Sequence, residues 1–169
     1  MRGQVSSHST FIAAVALIAM CLPANAQASE GWSIFRGEGG LVAEFFPAGI
    51  FTKDAGPTEK GAGRRYTSDD GRYEFAGYTL PNPTRESPRS YLRKNLILNP
   101  STIIYRRVTD RFFVLSSVRN GRIFYSRCNF YSRIQCIYLE YPKVEKAAWD
   151  RIVTRVSYSL RSTVQTSLD

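Results

Sequence analysis

From residue 32 the apolar side chains come in short aromatic and β-branched runs, punctuated by glycine, proline and aspartate, and only the last stretch changes to a helical period. Trp32-Ser33-Ile34-Phe35-Arg36 and Leu41-Val42-Ala43-Glu44-Phe45-Phe46 flank the glycine-rich segment 37–40, which predicts a hairpin closed off by Pro47. Residues 47–63 mix glycine and proline with few apolar positions and predict a surface loop, with one helical turn near Ile50-Phe51. Arg64 to Ser68 and Arg72 to Leu80 flank Asp69-Asp70-Gly71. That is a second hairpin, its glycine placed where φ must be positive.

Pro81-Asn82-Pro83 ends that strand, and Ser87-Pro88 supplies an N-cap followed by proline at the first helical position, predicting a helix to about Ile97. Four strand-like runs follow: Thr102 to Thr109, Phe112 to Val118, Arg122 to Phe130 and Ile134 to Tyr141. Asn120-Gly121, between the second and third, is the strongest short hairpin signal in the chain. After Pro142, Val144, Ala148, Ile152, Val156 and Leu160 recur every four residues with Trp149 and Val153 beside them, predicting an amphipathic helix over 142–160. Runs such as Phe112-Phe113-Val114-Leu115 are apolar on both strand faces and ask for cover on both sides. The expected architecture is one α+β domain over residues 30–162, an antiparallel β-sheet flanked by helices, with a frayed tail at 163–169.

The N-terminus changes the setting. Arg2, an apolar run from Phe11 to Leu22, then Pro23 and Ala24-Asn25-Ala26-Gln27-Ala28 follow the order of a secretory signal peptide. Cleavage after Ala26 or after Ala28 fits equally well. The run is 12 residues long, short of the roughly 20 that a membrane-spanning helix needs, so no transmembrane span is expected. Cys21 offers a lipoprotein-type alternative, against which stand the bulky Met20 and the A-x-A sites downstream. The expected location is periplasmic or secreted.

Removing residues 1–26 also removes His8, the only histidine, and leaves 22 basic against 14 acidic side chains. Histidine-dependent nucleophile pairs, general bases and metal sites are thereby excluded from the mature chain. Two cysteines remain, Cys128 and Cys136, and in an oxidising compartment they read as a disulfide. If residues 131–133 form a turn, Phe130 faces Ile134, Asn129 faces Gln135 and Cys128 faces Cys136, at a separation a disulfide tolerates. A redox dithiol is the weaker alternative, because no helix N-terminus adjoins either thiol to lower its pKa. No nucleotide loop, nucleophile elbow or metal motif is present, and no cofactor is expected. Asp69, Asp70 and Glu74 are the densest carboxylate cluster, but Asp-Asp-Gly is turn chemistry. Ser116 and Ser117 lie mid-strand without a base and read as structural.

The uneven feature is charge. Between Arg85 and Arg133 ten arginines and one lysine meet only Glu86 and Asp110, a surplus equal to the +9 of the whole chain. Arg106, Arg107, Arg111, Arg127 and Arg133 are the candidate anion-binding residues, with Arg119 and Arg122 on the same meander. Tyr105, Tyr125 and Tyr131 are interleaved with them as stacking surface. Outside the cytoplasm the matching partner is an anionic envelope component, lipid or glycan, or an acidic protein. Nucleic acid is disfavoured there. The competing explanation is that arginine is this chain's ordinary cation, 18 against 5 lysines, and simply solvated.

Between Ile104 and Leu160 the chain reads Tyr105-Arg106, a strand ending Val114-Leu115-Ser116-Ser117, then Gly121, Phe124-Tyr125-Ser126-Arg127, Tyr141-Pro142 and Ser157-Tyr158-Ser159. Over this stretch it resembles a family of small exported proteobacterial proteins of unknown function. More distantly, the strand order is similar to the α/β/α sandwich of PsbP-type extrinsic photosystem proteins. The resemblance implies a non-catalytic accessory or binding domain and supplies no site residues. The expectation is therefore an exported, non-enzymatic module of the cell envelope. The alternatives are a binder of anionic lipid or glycan through an arginine-rich sheet face, and a histidine-free hydrolase or lyase using Asp, Glu, Tyr and Arg. A cleft that brings Arg106 or Arg127 to a buried carboxylate is the mark of the last.

Overall fold

The computed structural model describes residues 31–95 and 99–162. The expected signal peptide with its Ala26 and Ala28 sites, the last turn of the helix predicted to run to Ile97, and the tail 163–169 lie outside the described residues. The strands are β1 (Ser33–Arg36), β2 (Leu41–Phe46), β3 (Lys53–Pro57), β4 (Ala62–Thr67) and β5 (Glu74–Pro81), then β6 (Ile103–Val108), β7 (Phe112–Arg119), β8 (Arg122–Phe130), β9 (Arg133–Pro142) and β10 (Leu160–Ser162). Two α-helices, α1 (Pro88–Asn95) and α2 (Lys146–Ser159), complete the α+β fold. No helix among the described residues is long and apolar enough to cross a membrane.

A seven-stranded antiparallel sheet in the order β3-β4-β5-β9-β8-β7-β6 forms the frame. Each hairpin in it has a local cause. Asn120 and Gly121 both take positive φ, 50° and 72°, as the two-residue turn between β7 and β8 requires. Between β4 and β5 the Ser68 hydroxyl donates to Asp70, whose carboxylate in turn accepts the Arg72 N–H, and Gly71 has φ 69°. That turn uses Ser68 to Tyr73, so the second strand starts at Glu74 rather than Arg72. Cys128 and Cys136 are direct partners across β8 and β9, in the anticipated register, and form a disulfide with Cα atoms 4.1 Å apart.

The sheet is covered on both faces. On one, α1 seals Phe113, Leu115, Phe130, Ile134 and the disulfide through its buried Leu92. The N-cap is as expected, the Ser87 hydroxyl accepting the Ser90 N–H at 3.2 Å. On the other face α2 and a small sheet bury the larger core around Phe75, Ile137, Leu139, Trp149 and Val156. Gly77 leaves room for the Phe35 ring, which lies 2.4 Å from where a Cβ would project.

Three expectations need correction. The segment 47–63 is not all loop: after a single turn at Ala48–Ile50, residues Lys53–Pro57 form the edge strand β3. A bulge between Asp54 and Gly56 and an edge position accommodate Pro57, which has no N–H to donate. The first hairpin does not join the main sheet. It pairs with β10, which begins at Leu160, the last residue of the predicted helix, to give the separate order β1-β2-β10. The final helix is shorter than 142–160, since Pro142 ends β9, Lys143–Glu145 is a 3-10 turn, and α2 starts at Lys146. Its buried stripe is Trp149, Val153 and Val156, continued by Leu160 at the start of β10, while Val144, in the 3-10 turn before the helix, is 92% exposed. A strict four-residue repeat drifts about 40° per step around a helix of 3.6 residues per turn, so alternating steps of four and three hold one face.

Candidate anion-binding cleft

Strand parity decides which side chains meet. The Asn120-Gly121 turn sets Val114 opposite Arg127 and Ser116 opposite Tyr125, and β6 extends these rows with Arg107 and Tyr105. Arg107, Val114 and Arg127 thus form one row across the sheet, and Tyr105, Ser116 and Tyr125 the next. Both rows face the α2 side. α2 packs on β9, β8 and β2, so the outer strands β6 and β7 overhang it and leave a cleft of about 640 Å³.

Arg127 enters the floor of this cleft half-buried. Its guanidinium lies 4.6 Å from the centroid of the Phe112 ring, Nε donates to Asn129 Oδ1 at 3.1 Å, and Nη1 donates to Ser157 Oγ at 3.3 Å. The Arg107 guanidinium stands over the same ring at 5.4 Å. Burial, and the neighbouring Arg107 charge as a smaller cause, pull Arg127 below its ordinary pKa. Tyr125 donates its hydroxyl proton to Ser157 Oγ at 2.6 Å, and its pKa is pushed up to about 12, chiefly by burial. Neither Arg107 nor Arg127 is paired to a carboxylate among the described residues.

The facing wall is α2, which contributes Lys146, Asp150, Val153, Thr154, Ser157 and Tyr158. Among the described residues Asp150 is the only carboxylate in the lining. It is exposed, and Lys146 Nζ donates to both its oxygens at 2.9 and 2.8 Å. At the mouth, Ile104 is 48%, Tyr105 50% and Tyr158 69% exposed, an apolar and aromatic edge beside the exposed Lys146, Asp150 and Thr154. Such a floor, with guanidinium donors held on an aromatic ring and no carboxylate partner among the described residues, suits an acidic group arriving from solution.

The five candidate arginines are therefore divided. Arg107 and Arg127 share the cleft. Arg106 pairs with Leu115 on the α1 side of the sheet, while Arg111 and Arg133 are exposed at the β6–β7 and β8–β9 turns. Tyr105 and Tyr125 line the cleft and Tyr131 belongs to the β8–β9 turn. Arg119 stacks on Phe124 at 5.0 Å and Arg122 pairs with Glu140. In the Asp69-Asp70 turn, Asp69 accepts from Thr52 at 2.7 Å and Glu74 pairs with Arg65 at 3.2 Å, so these carboxylates hold the turn itself. Ser116, read as structural, lines the cleft. Sequence reasoning missed the α2 wall, because Lys146, Asp150 and Thr154 look like a solvated helix face; the alternation Asp150, Thr154, Ser157 by steps of four and three is the signal that was there to find.

No protein-family model matches this chain, and no curated protein sequence matches it.

Proposed function

We propose that the chain is an exported, non-catalytic binding module that holds an anionic ligand in the cleft between β6–β8 and α2. The observation that carries this is the pairing of Arg107 and Arg127 over Phe112 without a carboxylate partner among the described residues. A cleft of about 640 Å³ is in the range of small-molecule sites, roughly 300–1,000 Å³. Export is supported by the N-terminal pattern and by the buried Cys128–Cys136 disulfide, a bond that oxidising compartments sustain. The hydrolase or lyase alternative draws no support from the cleft, because the carboxylate there is exposed Asp150, engaged by Lys146. Helices on both faces of an antiparallel sheet support the PsbP-like sandwich as a proposal for the fold alone.

The test is calorimetric titration with methyl phosphate at low and moderate ionic strength, on the wild type and on four single variants. Arg107→Gln and Arg127→Gln are expected to weaken binding by about tenfold or more, the magnitude of losing a charge-assisted hydrogen bond. Arg111→Gln and Arg133→Gln are expected to change it little, since both sit on turns away from the cleft. Equal weakening in all four, with binding that vanishes in moderate salt, would mean generic surface charge and overturn the reading.

A further inference from the structure

The headgroup site and the rim of the cleft differ sharply in chemistry, and the difference points to a ligand with two halves. We infer that the cleft takes an amphipathic anion: one phosphate or carboxylate head on Arg107 and Arg127, carrying a single apolar tail that runs out between β6 and the end of α2. This rests on the anion reading above and deepens it.

Three observations support the tail. First, the walls leading out from the guanidiniums are hydrocarbon and aromatic: Phe112, Val114 and Val153 inside, Ile104, Tyr105 and Tyr158 at the mouth. The last three are among the few large apolar side chains left exposed in a domain that otherwise buries them on both sheet faces. They belong to two different elements, β6 and α2, that face each other across one opening. Second, several of the lining's polar groups are already committed: Ser157 Oγ accepts from Tyr125 and Arg127, Thr154 Oγ1 donates to the Asp150 carbonyl, and Asp150, the one carboxylate among the described lining residues, is held by Lys146. An acidic glycan would set hydroxyls against Ile104, Val114 and Val153 without partners, which carries a desolvation penalty. Third, about 640 Å³ accommodates one head with one chain or aryl body; a two-chain phospholipid exceeds it. The geometry therefore favours a single-tailed amphiphile over a glycan or a bilayer lipid.

The probes are n-alkyl phosphates from methyl to octyl, kept below their aggregation concentrations and titrated into the full mature protein by calorimetry. Affinity is expected to rise by roughly fourfold per methylene while the tail fills the cleft, the transfer free energy of a buried CH₂. Ile104→Ser and Tyr158→Ala, both at exposed positions that the fold tolerates, are expected to flatten that rise. Val144→Ser, outside the cleft, should keep it. If methyl and octyl phosphate bind alike, or if an oligogalacturonate binds more tightly than octyl phosphate, the tail inference is overturned and the anion reading stands. If Arg107→Gln and Arg127→Gln leave the affinity for every alkyl phosphate unchanged, the anion reading fails instead. If no phosphate of any length binds, both fail. A separate arm offers vesicles containing phosphatidylglycerol: capture by vesicles without any affinity for monomeric octyl phosphate would assign the arginines to a membrane surface and overturn the inference.

Discussion

Cys128 and Cys136 are 1% and 0% exposed and sit on the α1 side of the sheet, among Phe113, Leu115 and Phe130. Their parity carries information beyond the bond. With Cys128 committed to that side, its neighbour Arg127 must point to the other, and the two-residue Asn120-Gly121 turn then places it beside Val114. The residue at the centre of the proposed site was thus legible from two local signals in combination. Arg106 and Arg107 were not separable in the same way: adjacent residues on an edge strand face opposite sides, and the bulge between Ile103 and Tyr105 hides which is which. The bond itself makes a residue-level prediction. A Cys128→Ala/Cys136→Ala variant should lose about 2–3 kcal/mol, the loop-entropy value for a sequence separation of 8. Urea unfolding of oxidised protein and of the variant measures it. A reductant added to native wild type should leave it oxidised until denaturant exposes the pair, and rapid reduction in the native state would contradict the buried placement.

At the level of elements, what could be read was what is closed by neighbouring residues: the β7–β8 and β8–β9 hairpins, the turn of Asp69 to Gly71, and the cap of α1. What could not be read depends on partners far along the chain. β10 follows α2 directly and has only three residues, yet it pairs with β2 some 118 positions earlier, Leu160 opposite Ala43 and Arg161 opposite Val42. No local pattern announces such a pairing. The same long-range contact explains the displaced helical stripe, because α2 must present Trp149 to Tyr141 and Phe51 while delivering Leu160 into the small sheet. Val156→Ala should accordingly destabilise the fold by about 2 kcal/mol, from lost burial plus a cavity under the helix. Val144→Ser, at the position of the expected stripe that is 92% exposed, should stay within about 0.5 kcal/mol of wild type. Chemical denaturation of the two variants checks this: Val156 lies on both stripes, so Val144→Ser separates them, and a loss there as large as that of Val156→Ala would restore the four-residue repeat.

For the whole molecule, the tyrosines on both faces of the sheet tie its stability to alkaline pH. Tyr78 on the α1 side, and Tyr125 and Tyr141 on the α2 side, are each pushed up to about 12, with burial the largest cause in all three. In the unfolded chain a tyrosine ionises near 10. The folded state therefore holds these protons more tightly, and the stabilisation is fully present below about pH 10 and is lost as pH rises toward about 12. Over that window the slope is about 1.4 kcal/mol per pH unit for each tyrosine that stays protonated in the fold. Whole-molecule electrostatics acts in the same direction: the isoelectric point is about 9.7, so across this window the chain becomes increasingly negative and its self-repulsion grows. Salt separates the two, because it screens surface charge far more than buried groups; a fall in the urea midpoint that persists at high ionic strength comes from the buried phenols. Tyrosinate absorbance followed with circular dichroism is the check, with a cooperative late step that coincides with unfolding as the expected result. Tyr125→Phe should lower stability at neutral pH, through the hydrogen bond to Ser157 that it removes, and should make the alkaline fall shallower. Ionisation of all the tyrosines near pH 10 with the fold intact would show that water reaches these rings, Tyr125 in the floor of the cleft included, and would remove the half-buried environment on which the cleft's electrostatics depend.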